Sequence, residues 1–400
     1  MQFINNKIAV PNRSILPVEL AVCFFWLLYA LKSTVMADLE LFKFSGLFYP
    51  LYLLMMIAFI KNFSKINKIG GLNLYFLLYC LFLYEVVFSL IINQVLIIDF
   101  MTLQSVFIYS LGLLTIFQFS TLSDWIYFRF TTGFTSVFIA LWVIYSYFTA
   151  STSIVYRGGI DIDQNVVASI ICIGAITIAS SLSTRVPFWR LILTAFFLIL
   201  AFYATALLAS RGVSISLLIG LTILYLKHLN HFRSLLFFSI FVLIVLVVLP
   251  HLPGTEMLSQ RFSGGNIQTM NDRTIIWQGC LKAWESGTFF QMLFGFGFRA
   301  SEDIVASVVS GLTSTHNGYM RIFIEQGVSG LAIFLALHIL VFSRLWRKGD
   351  TALEGLALLV TLMIANLSLS FTSNFLYWIA FGSVSAMAFL PHFPTHGEAI

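Results

Sequence analysis

Charged side chains are the scarcest component of this sequence. Lys, Arg, Asp and Glu make up only 10% of its 400 residues, whereas 59% of the residues are hydrophobic. Soluble domains carry about 25% charged residues, so this chain lacks the polar groups that a water-exposed surface requires. We therefore expect most of it to lie in a lipid bilayer, as helices that satisfy their own backbone hydrogen bonds. The formal net charge of +5 then reflects membrane topology, and we expect no nucleic-acid partner.

Cysteine is scarce as well. Of the four cysteines, Cys23, Cys80 and Cys172 lie inside apolar runs, and no two of the four form a CxxC pair. This spacing predicts neither a disulfide framework nor a metal site, and we expect no cofactor. The sequence also lacks a P-loop, a GxGxxG motif with an acidic partner, and a serine-centred nucleophile elbow. Chemistry driven by a nucleotide is therefore not expected.

Long apolar runs are what the chain has in abundance. A run of about 17–20 apolar residues can cross a bilayer as a helix, and we identify twelve such runs. They cover residues 15–32, 41–60, 72–92, 101–120, 132–149, 165–183, 191–209, 212–227, 234–250, 325–343, 352–368 and 375–391. The sequence therefore predicts an all-α fold, a polytopic bundle of about twelve transmembrane helices that forms one membrane domain over residues 1–400.

Lys and Arg are distributed unevenly among the connectors between the apolar runs. If the amino terminus lies inside, the short outside connectors and helix ends hold only Lys32, Lys43, Arg157 and Arg211. Because cytoplasmic connectors are enriched in Lys and Arg, we expect both termini in the cytoplasm. The long connector between the ninth and tenth spans, residues 251–317, then falls on the extracytoplasmic side.

Residues 251–317 form the only long polar interruption of the apolar runs. We expect this segment to lie on the membrane as short helices and to form a lid over an active site. Asn271 or Asp272 is the predicted N-cap of one of these helices, which places Arg273 at a helix start that favours an anion. One face of this predicted helix carries Ile276, Trp277, Cys280, Leu281 and Trp284 at helical spacing. The alternative is a helix that only plugs the bundle.

Three arginines on the outside are candidate anion ligands. Arg211 lies between two apolar runs with almost no loop, where a charge is costly and usually functional or paired. The simpler interpretation is an interfacial arginine that reaches water. Arg273 has the alternative of pairing with Asp272, and Arg157 is the third candidate. Since a guanidinium matches phosphate oxygens with paired donors, these residues predict a diphosphate site.

His316 is the candidate general base, since it stands outside the membrane at the start of the next helix. A neutral imidazole accepts a proton from a hydroxyl near pH 7, and a helix start disfavours its protonated form. The alternative is a histidine that is satisfied by water. Asn317, Arg321 and Glu325 follow at helical spacing on one face, and we expect them to support the site. Arg321 and Glu325 are spaced for an ion pair.

Glu85 lies in the middle of the third apolar run. A carboxylate there requires a partner or a proton. We expect a structural pairing with a basic residue of a neighbouring helix. The alternative, a proton-coupled role, would suit a transporter.

An ordered set of motifs resembles the O-antigen ligase and O-antigen polymerase superfamily. The set comprises Ser210-Arg211-Gly212, Arg273 followed by Trp277, Phe294-Gly295-Phe296-Gly297, and His316-Asn317-Gly318-Tyr319 leading to Glu325-Gln326-Gly327. The resemblance covers about residues 155–345, and the amino-terminal third matches only as hydrophobic helices.

This resemblance implies a metal-independent, inverting glycosyltransferase at the periplasmic face of a bacterial inner membrane. The implied donor is a glycan linked through diphosphate to undecaprenol, held by Arg211 and Arg273, while His316 activates the acceptor hydroxyl. In a ligase the acceptor is the lipid A core of lipopolysaccharide; in a polymerase it is another lipid-linked repeat unit. We favour the ligase slightly. A transporter or flippase of lipid-linked glycans is the alternative from another functional class.

Overall fold

The computed structural model describes residues 20–32, 48–66, 72–93, 100–119, 122–149, 164–180, 188–208, 210–226, 251–256, 267–309 and 314–390, together with 242, 243 and 247. Over these residues the structure is helical and contains no strand. Its α-helices are α1 (Ala21–Lys32), α2 (Phe48–Ile66), α3 (Leu72–Ile92), α4 (Phe100–Ile116), α5 (Leu122–Thr149), α6 (Gln164–Ser180), α7 (Phe188–Leu207), α8 (Arg211–Leu226), α9 (Ile267–Glu285), α10 (Phe289–Phe294), α11 (Ala300–Val308), α12 (Gly318–Lys348), α13 (Leu353–Ser368) and α14 (Phe375–Phe389).

The predicted spans agree with these helices. Each coincides with one helix, except the span 234–250, which lies almost entirely outside the described residues. Within the part of the chain that the structure describes, four helices are long and apolar enough to cross a membrane, over Leu72–Ile91, Asp124–Thr149, Trp189–Leu207 and Gly318–Lys348. The prediction of an all-α membrane protein is therefore confirmed, whereas the number of twelve spans stays a prediction.

Helix α5 begins earlier than its predicted span, at Leu122 and not at 132. The extra turns contain Asp124 and Arg129, which lower the local hydropathy but are not free in solvent. Arg129 forms an ion pair with the buried Glu354 of α13 at 3.3 Å and donates to the Ser180 hydroxyl at 2.9 Å. Because a partner on another helix compensates the charge, the helix continues past its apolar part.

Small side chains allow α8 and α13 to pack closely. Gly212, Ser216 and Gly220 repeat at every fourth position of α8 and so lie on one face. The Thr361 hydroxyl of α13 donates to the Ser216 carbonyl at 3.3 Å. A Cβ at Gly212 would overlap Ser368. Such small-residue faces bring backbones together in membranes, where lipid removes the hydrophobic drive between helices.

We expect Gly220→Val to destabilise the bundle. The added side chain would overlap Thr361 Oγ1 and would lie 2.6 Å from Ile176 Cδ1 at its first carbon. Overpacking of this kind costs about 1–3 kcal/mol. Thermal unfolding in detergent, followed by tryptophan fluorescence, would show a lower midpoint. Ile215→Val, on the outward face of the same helix, is the control, and equal midpoints for the two variants would contradict the packing argument.

Candidate active site

A short turn before α12 carries His316. The backbone of His316 is in the left-handed region, with φ of 49°. This conformation is uncommon for residues other than glycine, although asparagine, aspartate and histidine adopt it more often than the rest. Asn317 then caps α12, because its side-chain oxygen accepts from the amides of Tyr319 at 2.9 Å and Met320 at 3.0 Å. Asn317 therefore supports the site by fixing the helix start, as a capping residue.

The turn is held from two sides by other helices. The Thr315 hydroxyl lies 2.8 Å from the hydroxyl of Ser370, in the connector after α13. Trp277 of α9 donates its indole N–H to the Thr315 carbonyl at 3.0 Å. Gly318 packs directly against Asn366 of α13. The position of His316 is therefore defined by α9, α12 and the end of α13 together.

Arg211 begins α8 beside the same end of α13. Its neighbour Gly212 is in contact with Ser368, two residues before Ser370. Its other neighbour, Ser210, donates to the Asn165 side chain at the start of α6, at 2.8 Å. The close approach that Gly212 permits thus places the backbone of Arg211 next to the segment that holds the His316 turn.

The predicted N-cap at Asn271 or Asp272 is wrong, since α9 begins at Ile267. The residues 267–270 include neither glycine nor proline, and the helix-disfavouring pair Gly264-Gly265 lies further upstream, so nothing delays the helix until Asn271. Arg273 is consequently in the second turn and not at the helix start. Arg273 therefore does not lie among the unpaired amides of the helix terminus.

Arg273 nevertheless lies on the inward face of α9. It precedes Ile276, Trp277 and Cys280 by three, four and seven positions, which is the spacing of one helical face. Ile276 and Cys280 are buried, Trp277 is half-buried, and Arg273 itself is half-buried. Leu281 lies at the exposed edge of this face. One helical turn, about 6 Å, separates Arg273 from the tryptophan that bonds Thr315.

The chain positions of Arg211, Arg273 and His316 are thus brought to one end of the bundle. They come from three helices, α8, α9 and the start of α12. Gly212, beside Arg211, contacts Ser368, while Thr315, beside His316, contacts Ser370 and accepts from Trp277, one turn after Arg273. Arg157 lies outside the described residues. Among the residues that the structure describes, no group of three or more His, Cys, Asp or Glu could hold a metal ion.

Arg321 and Glu325 form the ion pair predicted from their spacing, at 3.0 Å, and both are buried. Glu325 also accepts from the Ser301 hydroxyl at 2.7 Å, and Arg321 lies 3.2 Å from Glu302 of α11. Two carboxylates therefore face one guanidinium, which leaves Arg321 little capacity for an anionic ligand. Its role here is to fasten α11 to α12.

Helix α12 is broken at Gly327, whose φ of 68° and ψ of −167° are not helical. The glycine-rich stretch after α10 fills the break: the amides of Phe296 and Gly297 donate to the carbonyls of Ile324 and Glu325, at 2.9 and 3.1 Å. Gly295 has φ of 83°, and a Cβ there would overlap the Glu325 backbone. Glycine is therefore required on both sides of this junction.

A polar stripe on α3 completes the junction. Glu85, Ser89 and Asn93 are spaced by four residues, so they follow one face of a largely apolar helix, with Asn93 directly after its last residue. Ser89 donates to the Glu325 carbonyl at 2.6 Å, and Asn93 donates to the Gly295 carbonyl at 3.0 Å. Sequence reasoning selected only Glu85 and missed the other two. The signal was present as a four-residue period of polar side chains within an apolar run.

The predicted basic partner of Glu85 is absent from the described residues. Its carboxyl oxygen lies 3.2 Å from the hydroxyl of Ser329 on α12. The prediction of a basic partner is therefore wrong for these residues, and the proton-coupled alternative stays a prediction.

Cys280 is packed beneath α11, against Ile276, Val305 and Ile324. Burial raises the pKa of its thiol to about 11. We expect maleimide to label Cys280 about a hundredfold more slowly than an exposed cysteine, since the thiolate is the reacting form. Peptide-resolved mass spectrometry would measure the rate, with Lys282→Cys on the exposed side of α9 as the control. Equal rates at the two positions would mean that α11 does not cover α9.

Comparison with known proteins agrees with the motif resemblance. Residues 195–335 match the model of a family described as O-antigen ligase. The predicted resemblance to the O-antigen ligase and polymerase superfamily is thereby confirmed. The matched region contains Arg211, Arg273, the glycine-rich stretch, His316 and Gly327. A search of curated proteins gave no match.

Proposed function

From the match of residues 195–335 to the O-antigen ligase family, we propose that this membrane protein transfers a lipid-diphosphate-linked glycan to an acceptor sugar. The observation that carries the proposal is the convergence of Arg211, Arg273 and His316 at one end of the bundle. Two cations and a proton acceptor around one space are the groups that such a transfer needs.

The arginines would bind the diphosphate of the donor. Guanidinium groups neutralise phosphate oxygens through paired hydrogen bonds. Neutralisation makes the diphosphate a good leaving group without a metal ion, because the charge that develops as its bond breaks is already matched. Arg211 and Arg273 belong to different helices, so the site would hold the diphosphate from two directions. Arg157 remains a candidate third ligand.

His316 would act on the acceptor. Its imidazole takes the proton of the acceptor hydroxyl while that oxygen forms a bond to the anomeric carbon of the donor sugar. The bond from the anomeric carbon to the diphosphate oxygen breaks, and the electron pair leaves with the diphosphate. Attack from the side opposite the leaving group inverts the anomeric configuration.

A groove between α12 and α13 would hold the polyprenyl tail. Its volume is about 650 Å³, and its lining includes Tyr319, His338, Phe342, Met363 and Leu367. The polar atoms of this lining are already used, since Tyr319 donates to the Met363 carbonyl and both His338 nitrogens have partners. The groove begins three residues from His316, so a tail in it would present its diphosphate near the turn.

The finer assignment is a ligase that uses the lipid A core as acceptor, and polymerisation on a lipid-linked repeat is the second candidate. A deletion strain separates them when its lipopolysaccharide and its lipid-linked glycans are both analysed. Long glycans that accumulate on undecaprenol support the ligase. A core capped with a single repeat supports the polymerase. A strain that shows neither pattern would contradict the proposed transfer and favour the flippase or transporter alternative.

The proposed location is the bacterial inner membrane, with both termini in the cytoplasm and the site at the periplasmic face. Its basis is the distribution of Lys and Arg, which favours cytoplasmic connectors. At the end of the bundle opposite His316, Lys348 donates to the carbonyls of Met387 and Leu390, at 2.7 and 2.9 Å. A periplasmic site and a cytoplasmic carboxyl terminus require His316 and the Lys348 contacts to lie at opposite ends of the bundle.

A further inference from the structure

One hydroxyl lies between a carboxyl group and a backbone carbonyl at the break in α12. Ser329 Oγ is 2.6 Å from the Leu293 carbonyl oxygen and 3.2 Å from Glu85 Oε2. A hydroxyl has one proton to donate, and a carbonyl oxygen can only accept. The shorter contact assigns that proton to Leu293. The contact with Glu85 is then a hydrogen bond only if the Glu85 carboxyl donates to Ser329.

The surroundings of Glu85 favour the same protonation. The residue is 7% exposed and lies in an apolar helix. The salt bridges found within the described residues do not include it. An ionised carboxylate without a cation is costly at such a position. A neutral carboxyl that both donates and accepts avoids that cost.

We infer that Glu85 carries a proton in the folded protein and acts as a positioning residue for the site. The chain of donation runs from Glu85 to Ser329 and on to the carbonyl of Leu293, near the end of α10. It holds the glycine-rich stretch in the break of α12. The protonation follows from the hydrogen bonds alone, whereas the effect on transfer rests on the proposed function.

The positioning effect passes through α11. The glycine-rich stretch leads directly into α11, which supplies Ser301 and Glu302 to the buried pair of Arg321 and Glu325. Arg321 is one turn after Asn317, the residue that caps the helix and follows His316. A displaced stretch would therefore loosen the first turn of α12, and with it the preceding turn that carries the proposed base.

Infrared spectroscopy tests the proton directly. Purified wild type at neutral pH should show the carbonyl stretch of a protonated carboxylic acid that is missing from Glu85→Gln, in a difference spectrum with isotope-labelled glutamate. Tyr84→Phe, at an exposed neighbouring position, should leave the band unchanged. A carboxylate band in its place would overturn the inference, and this readout does not depend on any enzymatic activity.

Transfer kinetics test the positioning role. Glu85→Gln keeps a donor to Ser329, so it should retain kcat, whereas Glu85→Ala and Ser329→Ala should each lower kcat about tenfold, the effect of one lost buried hydrogen bond. The double variant should be no worse than Ser329→Ala, since the two groups act in one chain. Ser343→Ala, whose hydroxyl bonds only within α12 at Leu340, is the control.

Failure of the positioning role and failure of the proposed function give different results. Loss of activity in Glu85→Gln equal to that in Glu85→Ala would overturn the positioning role while transfer itself remains measurable in the wild type. Absence of transfer in the wild type would instead remove the proposed function, and the infrared result would still decide the proton. If Glu85→Ala fails to fold, the comparison of Glu85→Gln with wild type keeps the test decisive.

Discussion

Replacing His316 with asparagine should lower kcat by about 10²–10⁴-fold, the usual contribution of a general base. Asparagine tolerates the left-handed backbone that His316 adopts, so this variant removes the base without adding strain. Donor affinity and membrane insertion should stay unchanged. The measurement is single-turnover transfer from a lipid-linked donor by the purified protein.

Two comparisons make the His316 result specific. His316→Gly relieves the backbone and also removes the base, so it should match His316→Asn. His251→Ala, an exposed histidine in the same connector, should transfer normally. Activity close to wild type in His316→Asn would exclude this side chain as the proton acceptor and leave only a structural turn.

Replacing Arg211 or Arg273 with alanine should lower kcat/KM by about 10²–10³-fold, as the loss of one charge-stabilising donor does in other enzymes. Lysine should restore little, because it cannot present two donors in the plane of a phosphate. The double variant should be close to inactive. Binding of a lipid diphosphate without its glycan, measured by thermal shift, would separate donor binding from chemistry.

Arg347→Ala is the matched control for the arginine series. Arg347 is exposed near the far end of α12, so its loss removes the same charge without touching the site. If Arg211→Ala and Arg273→Ala bind the lipid diphosphate as tightly as this control, the proposed anion site is wrong, whatever their effect on stability.

Much of the helical framework was predictable because hydropathy is a local property. Apolar runs such as 72–92 gave the helix bounds directly. The start of α5 was not predictable in this way, because Arg129 is compensated by Glu354, more than two hundred residues away in the sequence. The effect of a charged residue on the bounds of a membrane helix can be predicted only when its partner is known, and tertiary packing determines that partner.

In the candidate site, too, some features could be predicted from the sequence and others could not. The pairing of Arg321 with Glu325 followed from helical spacing. The start of α9 did not, because a capping residue was identified where the helix simply continued from Ile267. Ser89 and Asn93 resemble ordinary small polar residues until the break in α12 is known. Their function depends on the carbonyls of Glu325, in α12, and Gly295, in the glycine-rich stretch, and no local pattern in α3 specifies those carbonyls.

The junction at Gly327 sets a limit on how this protein can vary in length. Leu293 and Gly295 contact one side of the break. A few residues later, Ser301 donates to the buried Glu325 and Glu302 pairs with the buried Arg321. A single short stretch of backbone joins these two attachments. Inserting or deleting even one residue between Gly295 and Ser301 would bring only one attachment into register at a time, so this stretch can vary in sequence but not in length.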